Sequence, residues 1–74
     1  MSNVSYTAVF EKAEDGTWGG YVPDLPVILV NGLTFEEAEN NMREAIQIYL
    51  DEMKASGFPV PAPSVHAVNI EVAA

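Results

Sequence analysis

Residue types able to do acid–base, nucleophilic or metal chemistry are scarce in this 74-residue chain. His66 is its one histidine, and cysteine is absent. A histidine base needs a nucleophile or a substrate proton within reach, and usually an orienting carboxylate. His66 stands among Val65, Ala67 and Val68, the setting of a half-buried strand residue. One histidine without thiolates leaves only carboxylates to complete a metal site, and no Asp-x-Asp calcium loop is present. Glu11, Asp15, Asp24 and Glu71 fall at expected strand ends, where two of them converging would suit a two-metal nuclease. Their spacing imposes no such convergence, and a solvated surface accounts for them more simply. Gly16, Gly19, Gly20 and Gly32 match neither phosphate-binding fingerprint. Neither catalysis nor a cofactor nor a metal is expected.

Charge points instead to docking. Lys12, Arg43 and Lys54 face eleven carboxylates, for a formal net charge of -8. Nucleic-acid binding neutralises phosphates with cations that are missing here, and anionic membranes are excluded on the same ground. An acidic surface steers basic partners toward it, although the charge would also serve solubility alone. Tyr6, Phe10, Trp18 and Tyr21 could make a base-stacking sheet, but no basic residues are interleaved with them. They read as core and interface residues. The Pro23-to-Pro26 and Pro59-to-Pro63 stretches have spacing that could dock an aromatic groove, but they read more simply as rigid connectors.

The length allows a single domain, residues 1–74, with a marginal core of its own. The start of the chain has no basic segment leading into an apolar run, so no signal peptide is expected. Val27-Ile28-Leu29-Val30 is the most apolar run, far too short to span a bilayer. A soluble protein of the reducing cytosol, hence a cytoplasmic location, is expected.

The expected order of elements is βββαβ, an α+β fold. Residues 4–11 are rich in β-branched and aromatic types and form the first strand. Asp15-Gly16 turns the chain into a second strand over 17–22, whose paired glycines suggest a bulge or a close approach of another backbone. Pro23 and Pro26 break the ladder, and a third strand, apolar on both faces, runs over 27–31. Thr34 and Glu37 make a capping box for a helix whose stripe is Phe35, Ala38, Met42, Ala45, Ile46, Tyr49 and Met53. Glu36, Glu37 and Glu39 suit the helix start, and Glu39 and Arg43 have i,i+4 spacing. Gly57 and Phe58 read as a Schellman stop, and the prolines that follow make an extended connector. Residues 65–72 alternate as a fourth strand. A right-handed crossover would lay it parallel to the first, completing an antiparallel three-strand meander with one amphipathic helix packed on it. The third strand then lies at the sheet edge, and an uncovered apolar edge is one that natural proteins cover or pair. A homo-oligomer is expected, with Val27, Ile28, Leu29 and Val30 as its interface candidates.

Glu14-Asp15-Gly16, then Gly20-Tyr21-Val22-Pro23-Asp24-Leu25-Pro26, Gly32-x-Thr34-x-Glu36-Glu37-Ala38, Glu44-Ala45-Ile46-x-x-Tyr49-Leu50 and Gly57-x-Pro59-x-Pro61 together resemble the HicB antitoxin family. The likeness spans nearly the whole chain and implies a fold like a truncated ribonuclease H domain. It also implies a partner: a small basic ribonuclease toxin of the HicA type, which cleaves mRNA and whose active site the antitoxin occludes. The chain departs from many members at Val27-Ile28, where Gly-Cys is common, and at Leu33, where Asp is frequent. Many members continue into a helix-turn-helix or ribbon-helix-helix domain. This sequence ends at Ala74, and if that is the full length, direct nucleic-acid binding is not expected of it.

The expected function is therefore an antitoxin-like protein-binding module and not an enzyme, with Trp18, Tyr21, Asp24, Leu25, Glu36 and Glu39 as toxin-contact candidates. The alternative is a self-assembling orphan domain without a toxin. A third reading, a metal-dependent ribonuclease H-type nuclease relying on Glu11 or Asp24, lacks both a ligand cluster and the cations to hold a substrate.

Overall fold

The computed structural model describes residues 3–74. Its elements are β1 (Val9–Lys12), β2 (Trp18–Val22), β3 (Leu25–Gly32) and α1 (Phe35–Ala55). The strands form one antiparallel sheet in the order β1-β2-β3, and α1 packs on β2 and β3 across one face. The meander and helix expected from the sequence are present.

Local chemistry fixes the helix ends. Thr34 Oγ1 accepts from the Glu37 amide at 3.1 Å, the first half of the capping box. The Glu37 carboxylate reaches one residue further back than the usual box, to the Leu33 amide at 3.1 Å. At the other end Gly57 has φ 77°, the Phe58 amide bonds the Met53 carbonyl, and the Gly57 amide bonds the Lys54 carbonyl. These are the two bonds of a Schellman stop.

Strand limits differ from the sequence reading for identifiable reasons. β1 begins at Val9 and not at residue 4, because β2 ends at Val22 before Pro23 and residues 4–8 have no strand opposite them. β3 begins at Leu25, two residues early, despite Pro26. Val22 pairs Leu25 while Tyr21 pairs Leu29, so residues 26–28 bulge out of the ladder and Pro26 is not asked to donate a bond.

The fourth strand expected over 65–72 does not join the sheet among the described residues. Residues 66–74 are all exposed, including His66, which is therefore not the half-buried strand residue expected. Period-2 alternation marks a segment fit for a ladder without naming the edge it pairs with.

The core lies between sheet and helix. Val22, Leu25, Ile28 and Met42 form its buried cluster, with Tyr6, Ala8, Phe10, Val30, Ala45, Ile46 and Tyr49 packed against it. Gly20 is required here, because a Cβ on it would sit 2.8 Å from the Phe10 ring and 3.2 Å from the Met42 methyl. The approach foreseen at the paired glycines is thus to side chains, and it concerns Gly20.

Candidate protein-binding surface

Strand pairing puts Val9, Tyr21 and Leu29 side by side in one row across all three strands. Their neighbours Phe10, Gly20 and Val30 form the next row, on the helix side. The Val9 row faces away from α1. Leu29 is 77 % exposed and Val27 70 %, with Tyr21 also open to solvent. Below this row Glu11, Gly19 and Asn31 align. With no side chain on Gly19, a shallow hollow of about 350 Å³ opens, bordered by Glu11, Lys12, Thr17, Tyr21 and Asn31. An apolar row beside a hollow bordered by polar side chains is the pattern of a docking surface, with large apolar contacts and a hydrogen-bonding rim.

The ten sequence candidates divide between surface and core. Tyr21, Val27 and Leu29 lie on the open sheet face. Leu25 and Ile28 are buried core residues, 1 % and 6 % exposed, and present nothing to a partner. Val30 is half-buried on the helix side. Trp18 is also on the helix side of its strand, with its ring edge-to-face on Phe35 at 5.2 Å; Phe35 in turn meets Phe10 at 5.1 Å. Trp18 and Tyr21 thus occupy opposite faces. Glu36 and Glu39 are exposed on the helix.

Asp24 has a job within the fold. Its Oδ1 accepts from the Ser64 hydroxyl at 2.6 Å, and its Oδ2 accepts from the Ser64 amide at 2.8 Å and the Val65 amide at 3.3 Å. These bonds favour the charged form: the Ser64 hydroxyl and then its amide hold the Asp24 carboxyl below the usual carboxylate range. Thr7 Oγ1 donates to the Val65 carbonyl at 3.0 Å, and the Tyr6 hydroxyl donates to the Pro61 carbonyl. Burial, then the Asp24 charge, raises the Tyr6 phenol above its ordinary value. The connector after α1 is therefore clasped to the β2–β3 turn and to the segment before β1. Residues 40 positions apart give no local signal, and sequence reading missed the clasp.

It also missed a groove of about 800 Å³ between the chain leading into β1 and the helix. Tyr6, Ala8, Phe10, Met42, Ile46 and Leu50 form its apolar walls, and Glu39, Arg43, Gln47 and Lys54 its polar rim. Leu50, buried but absent from the stripe read in the sequence, belongs to this wall. Among the described residues no three His, Cys, Asp or Glu side chains are grouped to hold a metal. No helix is long and apolar enough to cross a membrane.

The family model described as the HicB-like antitoxin of bacterial toxin–antitoxin systems matches residues 6–72. The chain belongs to that family. HicB-like relatives include the UPF0150 protein ssr1765 of Synechocystis sp., 40 % identical over 57 residues, covering 77 % of this chain and 72 % of that one. The UPF0150 protein Ta0767 of Thermoplasma acidophilum is 31 % identical over 67 residues, 90 % of this chain and 97 % of its own. No solved structure matches the chain. Membership in the HicB-like family implies a role in a toxin–antitoxin system and suggests a non-enzymatic one, with a toxin as partner.

Proposed function

We propose that this HicB-like protein neutralises a small, basic, mRNA-cleaving toxin of the HicA type by covering the toxin's active site with its open sheet face. The row Val9–Tyr21–Leu29 carries this reading: it is apolar, it spans every strand, and α1 leaves it uncovered. An exposed carboxylate, Glu11, lies two residues along β1 from Val9 on the same face, on a chain of net charge -8. A ribonuclease surface must be cationic to hold RNA phosphates, so an acidic face with an apolar centre competes for the same cations and excludes water between them. Glu36 and Glu39 on the helix add to the field that steers the encounter, and they lie outside the contact proper. A cytoplasmic complex without direct nucleic-acid binding by this chain completes the proposal.

Affinity capture from lysate of the protein's own source is the test. Stoichiometric recovery of a small basic protein, released by high salt, that cleaves RNA until this chain is added back, is the expected outcome. Recovery of this chain alone at low salt, with no ribonuclease activity in any fraction, overturns the proposal.

A further inference from the structure

The groove beside β1 and the segment that follows the clasp are each incomplete, and each has what the other lacks. β1 is an edge strand, so its outward backbone groups have no ladder partner among the described residues. The apolar walls next to that edge, from Ala8 and Phe10 on one side to Met42, Ile46 and Leu50 on the other, enclose space that none of the described residues fills. The sheet is one strand too narrow for its helix. Meanwhile residues 66–74 run free of the body. Val68, Ile70 and Val72, all on one parity, are 74–75 % exposed, which leaves three β-branched side chains in water.

We propose that residues 66–74 of one copy add as a strand to the β1 edge of a second copy, with Val68, Ile70 and Val72 entering its groove, and that the exchange is reciprocal. Four observations select this occupant and this edge. The chain's own connector already lies against residues 6–7 and is pinned there through Thr7 and Asp24, and beyond Val65 the segment leaves the body instead of turning into the groove. The β3 edge is a poor acceptor, because Pro26 and the bulge around it interrupt its ladder. Two copies each carrying charge -8 repel, so they meet best where cations gather. Arg43 and Lys54, two of the three Lys and Arg side chains in the chain, sit on the groove rim against one acid, Glu39, and the arriving segment carries a single acidic side chain, Glu71. A twofold axis lets each copy give a strand and receive one, which closes the assembly at two and leaves both Val9–Tyr21–Leu29 faces open.

Sedimentation equilibrium on the full chain tests this, beside a Val68→Asp, Ile70→Asp double variant and an Ala8→Cys, Ile70→Cys variant. The expected result is a dimer whose dissociation constant rises by about 100-fold or more in the Asp variant. The circular dichroism and melting of the Asp variant's dissociated monomer should stay those of a folded domain. Oxidation of the cysteine variant, in a chain with no other thiol, should give disulfide-linked dimers. A monomeric wild type, a dimer unaffected by the Asp pair, or a disulfide closing within single chains would each overturn the exchange.

Discussion

The two faces of the sheet are built from the same three strands and have opposite surroundings. On the helix side the central positions are constrained: Gly20 has no room for a methyl, Val22 is fully buried, and Ile28 and Met42 complete the seal. On the other side Val9, Tyr21 and Leu29 are similar in apolar character, yet Val9 is only half-buried and Tyr21 and Leu29 are open to solvent. Hydrophobicity alone therefore does not tell a folding residue from a binding residue in this chain. The position of α1 does.

The contrast can be broken hardest from the covered side. Leu25→Ala should cost about 2–5 kcal/mol, through lost burial and the cavity left behind. That is a large share of the roughly 5–15 kcal/mol that holds a typical domain together. Urea titration checks it. A smaller effect is expected at the clasp, where the sign follows from linkage. The Asp24 carboxyl titrates lower when folded than when unfolded, so its stabilisation is present above the unfolded value of about 3.9 and is lost as pH falls through the folded one. Asp24→Asn should flatten that acid limb of the melting-temperature profile and leave the plateau near neutral pH lower. The smallest stability change belongs to the open face. Leu29→Glu should move the unfolding free energy by no more than about 0.5 kcal/mol, while it abolishes capture of a basic partner at physiological salt. A large destabilisation by Leu29→Glu in a protein whose oligomeric state is unchanged would erase the distinction between the faces.

Those parts of the fold fixed by neighbours in the chain were legible in the sequence. Thr34, Glu37, Gly57 and Phe58 announce both ends of the helix, because capping bonds span only three to five residues. Asp15-Gly16 likewise marks the first turn: Gly16 has φ 90°, and Asp15 accepts from the Thr17 amide and hydroxyl. What depended on distant partners was not legible. Pro26 reads as a strand breaker until the three-residue bulge shows that its missing amide is not needed. Val65 to Val72 reads as a strand, but alternation cannot say whose edge it meets. Of the candidate contacts, Tyr21, Val27 and Leu29 fall on one surface. Leu25, at the start of β3, is buried, because the bulge shifts the alternation of β3 between Leu25 and Ile28.

The clasp of Asp24 on Ser64 and Val65 also has a consequence in time. Every strand pairing in the sheet joins consecutive elements, and the helix forms from its own sequence, so these parts assemble through short loops. The clasp must close a loop of about 40 residues for a few exposed hydrogen bonds, and it can close only after the β2–β3 turn exists. With the Tyr6–Pro61 and Thr7–Val65 bonds, which close longer loops still, it is therefore among the last contacts made on folding and the first released on opening. Native-state hydrogen exchange should find the Ser64 and Val65 amides opening well before the amides of β2.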